Sequence, residues 1–309
     1  HDRDHEQPAH KIHLMTEMVG TSGKTVAAPR KRSKRERPKL NLNGWIGLII
    51  VGFGILVAII GPFIAPHDPG EILVWKAYSP PGDEISFMGS DALGRDVLSR
   101  MLHGAHLTIG IALISNLIGF AMGMIVGFAA AEIRGRTDDF ITWLIDVFIS
   151  FPPIMMALII IVALGTDIYV LIGTIAVVSA PRIARIARAV AMNVVVLDYV
   201  EAARARGESL TSVLVGEILP NTLRPLAVEF GLRLTFAILF LSSLSFLGLG
   251  IQPPAADWGS MVRENLSGIL LGSMAPVLPA VAIGTLTIGV TLLVDWISSH
   301  SGRSISEAL

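Results

Sequence analysis

The sequence contains no cysteine and few charged residues for its length. Only 16% of its 309 residues are Asp, Glu, Lys or Arg, whereas soluble domains average about 25%. The absence of cysteine excludes a disulfide framework, a zinc–thiolate site, an iron–sulfur cluster and a cysteine nucleophile. A formal net charge of -1 provides no general attraction to nucleic acid, so we predict no nucleic-acid partner. With 52% hydrophobic residues and a mean hydropathy of +0.64, the composition indicates a membrane protein.

The apolar residues are concentrated in a few long segments. A bilayer core of about 30 Å requires about 20 apolar residues in a helix. We predict six spans: Trp45–Ala65, His106–Ala131, Phe140–Gly165, Ile168–Ala180, Leu234–Ile251 and Ile269–Val294. The fourth is the shortest. The sequence therefore predicts an all-α polytopic membrane protein surrounded by membrane lipid.

The placement of Lys and Arg predicts the orientation of these spans, because basic residues in short loops favour the cytoplasmic side. With the amino terminus inside, most basic residues become cytoplasmic: the block at 30–39, Arg134, Arg136, the Arg182–Arg206 connection and Arg303. The other side receives only Lys76, Arg95, Arg100 and Arg263. Both termini are therefore predicted to be cytoplasmic.

These assignments divide the chain into five parts. We predict a polar, basic cytoplasmic tail over residues 1–43, a first transmembrane helix over 44–65 and an extracytoplasmic segment over 66–105. A five-helix core follows over 106–297, with a cytoplasmic loop near 199–221, and residues 298–309 form a second cytoplasmic tail.

Two patterns within the spans predict helix packing. Gly119, Gly123 and Gly127 recur every fourth residue and form a stripe of small residues, which favours the close approach of another helix. Glu229 and Arg233 are one helical turn apart and can neutralise each other. We interpret both patterns as structural.

Other charged residues lie in or beside the spans. Asp146 lies about two turns inside the third span and is a candidate for a helix-interface hydrogen bond or for a gate in a pore. Arg182, Arg185 and Arg188 share one face of a helix leaving the membrane, for which we predict contact with lipid headgroups.

The most specific pattern lies between the fourth and fifth spans. Glu201-Ala202-Ala203 is followed by Gly207 and then by Leu219-Pro220. Residues 201–206 are rich in alanine, with an acid first and arginine last, which favours a short helix. Gly207 can adopt a positive φ or allow a close backbone approach. Ser209–Thr211 can then begin a second helix, which Pro220 interrupts, so we predict a helix–turn–helix that exposes small residues to a partner.

This combination reproduces the EAA signature of ABC-importer permeases at the right spacing. Two further stretches resemble the dipeptide/oligopeptide importer branch of that family: Phe87–Ala105, and Leu244–Pro254 followed by Asp257-Trp258-Gly259. On these residues the chain, from about Trp45 to Trp296, is identified as a member of this family and resembles its C-type permease subunit.

The resemblance implies the type I (MetI-like) ABC-importer permease fold, with six transmembrane helices and a cytoplasmic EAA coupling loop, in a bacterial inner membrane. Such a permease forms half of a pore with a second, homologous permease. Two ABC ATPase subunits dock beneath it, and an extracytoplasmic binding protein delivers peptide. ATP and Mg²⁺ would be used by the ATPases, and the chain itself would bind no cofactor or metal and would not be an enzyme.

The resemblance also implies which residues act. The residues of the coupling loop would be Glu201, Ala202, Ala203, Gly207, Leu219 and Pro220. The first four would seat in a groove of one ATPase. Asp146 is the candidate pore or gate residue. Candidates to face the binding protein are Asp91, Gly94, Arg95, Asp96 and Trp258. Two positions depart from the family pattern: Glu217 stands where an apolar residue is usual, and Leu241 stands where an acid is expected.

Other functions remain open at this point. The same architecture can import nickel or another small solute, because substrate choice in such systems rests mostly with the binding protein. An ion-coupled secondary transporter would have several polar groups at mid-membrane, and only Asp146 is seen. An intramembrane hydrolase would need facing carboxylates or a His/Glu metal motif inside the spans, and the sequence shows neither.

Overall fold

The computed structural model describes residues 41–74, 76–82, 86–133 and 135–306, with side chains through residue 299. Nearly all of the predicted tail over 1–43, together with Arg134 and the last residues of the predicted carboxyl-terminal tail, lies outside these ranges. Within them, the only extended pairings are isolated bridges from Ile72 to Arg95 and from Ser90 to Asp96. The described chain is otherwise built from helices and their connections.

Nine α-helices follow one another in the described residues. They are α1 (Leu42–Ile64), α2 (Val97–Ile133), α3 (Arg136–Ser150), α4 (Pro153–Leu164), α5 (Ile168–Val195), α6 (Asp198–Ala205), α7 (Leu210–Phe246), α8 (Trp258–Glu264) and α9 (Val277–Ser306). A π-helical segment, Val213–Ile218, lies within α7, and a 3-10 helix, Leu266–Leu271, follows α8. By length and composition five helices can cross a membrane, or six if α3 and α4 form one bent span, in agreement with the predicted number of spans.

The third predicted span is not one straight helix. α3 and α4 meet at an angle of 87°, because Phe151 and Pro152 between them have extended backbones with ψ of 136° and 128°. Each of these residues precedes a proline, and the α conformation is disfavoured before proline. The predicted span over Phe140–Gly165 is therefore two helices with a sharp bend between them, and the proline pair is the local signal for the bend.

The fourth span is longer than predicted. α5 has 28 residues, or about 42 Å at the usual rise per residue. It begins with Asp167 as its N-cap, whose side chain accepts a hydrogen bond from the Tyr169 amide at 2.8 Å. Pro181 lies inside the helix without ending it. The predicted span Ile168–Ala180 and the predicted helix that carries Arg182, Arg185 and Arg188 out of the membrane are therefore one continuous helix, which ends at Val195.

The fifth span also extends further than predicted. α7 begins at Leu210 and continues through Pro220, so the predicted interruption at this proline is wrong. The π-helical segment ends directly before it, with the Leu219 amide bonded to the Leu214 carbonyl five residues back. Such wide turns are a usual way for a helix to absorb a local disruption, and a proline has no amide to leave unpaired there.

Two other boundaries differ from the prediction. α2 begins at Val97, so the last nine residues of the predicted extracytoplasmic segment over 66–105 belong to the same helix as the predicted second span. α9 begins at Val277, and Ile269–Leu271 of the predicted sixth span belong to the 3-10 helix instead.

The glycine stripe of α2 packs against α5, as predicted. A Cβ atom added to Gly119 would lie 2.9 Å from the Ala176 carbonyl oxygen, and one added to Gly123 would lie 2.6 Å from Ile183 Cβ. One added to Gly127 would lie 2.8 Å from the Arg188 amide nitrogen. Real Cβ atoms do not approach so closely, so the absence of side chains is what lets the two backbones meet.

The two ends of the helix bundle are built differently. At one end, which we call the capped end, residues 65–96 and 247–276 connect α1 to α2 and α7 to α9. At the other, which we call the α6 end, residues 196–209 connect α5 to α7 and contain α6. Most of the predicted site residues lie at these two ends.

Candidate functional site

The Glu201–Gly207 motif forms a short helix and a sharp turn at the α6 end. α6 has acidic residues in its first turn and Arg204 in its last, an arrangement that suits the helix dipole. Gly207 follows with φ of 79°, a left-handed conformation that residues with a Cβ disfavour. A Cβ at Gly207 would meet nothing within 4 Å. The glycine is therefore required by backbone conformation and not by a close approach.

α6 has one buried face and one exposed face. Val200 and Ala203 are fully buried, at 0% exposure, in an apolar cluster to which the ends of α2 and α5 and the start of α7 also contribute. Glu201, Ala202 and Ala205 are exposed. Asp198 and Tyr199, at the start of the helix, are exposed as well. The exposed residues of α6 thus include two carboxylates, one aromatic ring and two alanine methyl groups, which a second protein can contact.

Arg204 attaches α6 to two other helices. Its Nε and Nη2 donate to the two carboxylate oxygens of Glu132, at the end of α2, over 2.6 and 2.7 Å. Nη2 also lies 3.4 Å from the Val195 carbonyl at the end of α5. Hydrogen bonding to Glu132 raises the pKa of the Arg204 guanidinium. The sequence analysis missed this pair, because its members are 72 residues apart and no local pattern connects them.

The turn after α6 makes its own hydrogen bonds. Glu208 accepts from Arg206 Nη2 at 2.6 Å and from Ser212 Oγ at 2.9 Å, and these bonds lower the pKa of the Glu208 carboxyl. The Ser209 side chain accepts from the Ser212 amide at 3.3 Å, which confirms the predicted start of the second helix. The turn is therefore held by short-range contacts within its own segment.

The remaining predicted coupling residues lie at the start of α7. Leu219 packs against the apolar cluster that contains Val200 and Ala203, and Pro220 is exposed. The structure thus brings the two halves of the motif to one cluster. It places Ala203 and Leu219 on the inner side, and Glu201, Ala202, Gly207 and Pro220 on the surface.

The residues predicted to face a binding protein lie at the capped end, and all are buried. Four charged side chains form a quartet, which consists of Asp91, Arg95, Arg100 and Glu264. Arg95 donates to Asp91 at 2.7 Å, and Arg95 and Arg100 both donate to Glu264 of α8, over 2.6 and 2.8 Å. Arg100 also lies 3.4 Å from Asp91. The quartet pairs two acids with two bases and fastens the loop before α2 to α8.

Asp96 and Trp258 also have partners within the chain. Burial by itself would raise the pKa of Asp96, but hydrogen bonds from Ser99 and Ser86 outweigh it, and its pKa lies below the usual range. The Trp258 amide donates to Thr108 Oγ1, and its indole donates to the Met101 carbonyl, both over 3.0 Å. These side chains position the loops, and their contact with a binding protein stays a prediction.

Six charged residues of α3, α5 and α7 form three ion pairs. Arg185 pairs with Asp146, and Arg188 donates two hydrogen bonds of 2.6 Å to Asp138. The partner of Arg188 is thus an acid of α3, and the contact of Arg182, Arg185 and Arg188 with lipid headgroups stays a prediction. Asp146 bonds one helix to another, and its role as a gate stays a prediction. In α7, Arg233 donates to Glu229, which confirms the predicted pair.

Known proteins resemble this chain over most of its length. Residues 104–307 match a family described as binding-protein-dependent transport system inner membrane component, and residues 40–81 match the N-terminal TM domain of oligopeptide transport permease C. The di/tripeptide transport system permease protein DppC of Pseudomonas aeruginosa is 34% identical over 254 residues, which cover 81% of this chain and 84% of that protein.

Two further relatives agree with this match. The dipeptide transport system permease protein DppC of Haemophilus influenzae is 31% identical over 83% of this chain and 89% of its own length. The glutathione transport system permease protein GsiD of Escherichia coli O6:K15:H31 is 34% identical over 78% of this chain and 80% of its own length. The first family match includes the whole of the α6 loop.

Proposed function

Because this chain belongs to the family of binding-protein-dependent transport system inner membrane components, we propose that it forms half of the membrane pathway of an ABC importer for peptides. It is a multi-pass inner-membrane permease subunit, and members of this family work with ATPases and a binding protein. Peptide as the substrate class is supported by relatives named as dipeptide, di/tripeptide and glutathione permeases.

The observation that carries the proposal is the exposed face of α6. Val200 and Ala203 are buried and attach the helix to the rest of the bundle. Glu201 and Ala202 are exposed, and Gly207 turns the chain shortly after the helix ends. In the proposed complex this face seats in a groove of one ATPase, with the exposed Pro220 beside it. Ala203 and Leu219 support the docking surface from its inner side.

The proposed orientation follows from this docking. The α6 end and both termini are cytoplasmic, and the capped end faces the binding protein. A second, homologous permease completes the pathway, and two ATPases dock on the pair. The chain is non-catalytic and binds no nucleotide, while ATP and Mg²⁺ act in the ATPases. Closure of the ATPases would displace α6 and so shift the helices between inward-open and outward-open arrangements.

The test is to copurify this chain with its neighbouring transporter subunits and to assay ATP hydrolysis in lipid. We expect the wild-type chain to assemble with two ATPases and a second permease, and binding protein with a dipeptide to stimulate hydrolysis. Gly207→Asp should leave the chain in the membrane and weaken ATPase binding about tenfold. A residue with a Cβ disfavours the positive φ by about 1–2 kcal/mol, so the free turn relaxes to another conformation and docking has to restore the original one.

Gly135 provides a matched control. It lies in the turn between α2 and α3, has φ of 70°, and a Cβ there would also meet nothing within 4 Å. Gly135→Asp therefore adds the same charge at another positive-φ glycine at the same end of the bundle, and it should leave ATPase binding unchanged. Transport by this chain alone, indifferent to ATPases and to Gly207, would show that the importer proposal is wrong.

A further inference from the structure

α6 is attached to the rest of the bundle by contacts of two kinds. The apolar contacts of Val200 and Ala203 are non-directional, and they allow the helix to slide or tilt. The contact of Arg204 with Glu132 consists of two nearly equal hydrogen bonds, of 2.6 and 2.7 Å, between a planar guanidinium and a planar carboxylate. Such a bidentate pair fixes orientation as well as distance.

The Glu132–Arg204 pair is partly shielded from solvent, which strengthens the attraction between its charges. The Glu132 side chain is only 9% exposed and that of Arg204 is 34% exposed, so water and salt screen their attraction less than on an open surface. The neighbouring Arg206–Glu208 pair is more exposed, and it does not connect α6 to another helix. Its arginine is 57% exposed, and both of its members lie in the turn after α6, so it attaches that turn only to itself.

The pair also connects α6 to the ends of two long, mutually packed helices. Glu132 lies at the end of α2, whose 37 residues extend about 55 Å from the capped end to the α6 end. α2 packs on α5 along its glycine stripe, and Arg204 reaches the end of each helix, Glu132 on α2 and the Val195 carbonyl on α5. Toward α7, by contrast, the chain leaves α6 through the positive-φ turn at Gly207.

We infer that the Glu132–Arg204 pair transmits displacement of α6 to the packed helices α2 and α5, and that it is the positioning pair through which ATP hydrolysis in a partner is coupled to transport. This inference rests on the proposed function and goes beyond it. Docking concerns the exposed face of α6, whereas this pair lies on its inner side. Glu132 is nearly buried and cannot contact an ATPase itself, so its replacement tests transmission separately from docking.

The test uses the full complex with ATPases and binding protein in proteoliposomes. Peptide uptake and ATP hydrolysis are measured together for Glu132→Gln, Arg204→Gln and the double variant. We expect uptake per ATP hydrolysed to fall about fivefold or more in all three, while ATPase binding stays within about twofold of the wild-type value. Arg206→Gln, which removes a nearby arginine without touching Glu132, is the control and should keep the wild-type uptake per ATP.

The double variant separates transmission from simple stability. Each single variant leaves one unpaired charge near the protein interior, which destabilises the fold, whereas the double variant leaves none. A purely structural role therefore predicts that the double variant regains both its melting temperature and its uptake per ATP. Transmission predicts that the melting temperature recovers and the uptake per ATP does not.

Several results would overturn the inference. Wild-type uptake per ATP in all three variants would do so, as would recovery of that ratio in the double variant. Loss of ATPase binding in Arg204→Gln but not in Glu132→Gln would assign Arg204 to docking instead. These failures differ from failure of the proposed function, in which the wild-type chain itself binds no ATPase and the inference falls with it.

Discussion

The two ends of the bundle use charged residues in opposite ways. At the capped end Asp91 and Arg100 are completely buried, and their loop closes over them. At the α6 end Asp198 and Glu201 are exposed, and the bidentate pair of Arg204 with Glu132 lies on the inner side of the helix. Both regions carry recognisable sequence signatures, but burial separates their roles. One signature holds its own loop in place, and the other presents a surface.

The physical reason for this difference lies in the backbone. A long connection without helices must find partners for its amide groups in distant backbone carbonyls and in side chains. At the capped end Asp91 accepts from the Leu93 and Arg95 amides at 2.8 and 2.9 Å. The backbone of α6 pairs within its own helix. Its exposed side chains are therefore not needed as hydrogen-bond acceptors for backbone amides, and they are available to a partner.

The largest expected effect comes from breaking the capped end at its centre. Asp91→Ala removes the acceptor of two amides and leaves Arg95 and Arg100 with Glu264 alone. Loss of one partner from a buried charge network costs about 3–5 kcal/mol. We expect a large fall in the thermal unfolding temperature of the purified chain in detergent.

Asp68→Ala is the control for this experiment. Asp68 lies at the same end, but it is exposed and its carboxylate accepts from the Gly70 amide at 2.8 Å. Its replacement should cost about 1 kcal/mol. Equal unfolding temperatures for the two variants would mean that the buried quartet does not hold the capped end together.

A smaller effect is expected in α2, the helix that joins the two ends. Gly127→Ala should cost about 1–3 kcal/mol, because the new methyl group overlaps α5 and forces the helices apart. Gly110→Ala, in the same helix, places its methyl group in open space and should gain up to about 1 kcal/mol from helix propensity. Chemical or thermal unfolding of the two variants measures the difference, and equal stability would contradict the packing of α2 on α5.

The smallest expected effect is a difference between the two ends in how their stability depends on pH. Because the folded-state pKa of Asp96 is lowered, its charge stabilises the fold above the unfolded-state pKa of about 3.9, and this contribution is lost as pH falls through the folded-state value. The difference in unfolding free energy between the wild-type chain and Asp96→Asn should therefore be largest near neutral pH and should disappear in strong acid. Glu208→Gln, at the exposed turn of the α6 end, should change stability little at any pH, and a flat pH profile for the Asp96→Asn difference would contradict this assignment.

Local sequence was sufficient for the elements that depend on neighbours along the chain. Hydropathy predicted the six spans, because a helix in lipid needs a continuous apolar run. The composition of residues 201–206 predicted α6, and Gly207 predicted the turn, because helix propensity and the sterics of a positive φ act within a few residues. The proline pair Pro152-Pro153 is also a local signal for the bend between α3 and α4. A hydropathy average over the whole apolar segment does not detect it.

The tertiary structure alone decided which charges far apart in the sequence meet. Glu132 and Arg204 are 72 residues apart, and Arg95 and Glu264 are 169 apart, so neither pair leaves a trace in local composition. It also decided that Asp91 is buried and Glu201 exposed, although both belong to charged, glycine-containing motifs. Spans and turns follow from short-range sterics and hydropathy, whereas burial and ion pairing depend on distances that exist only once the helices have packed.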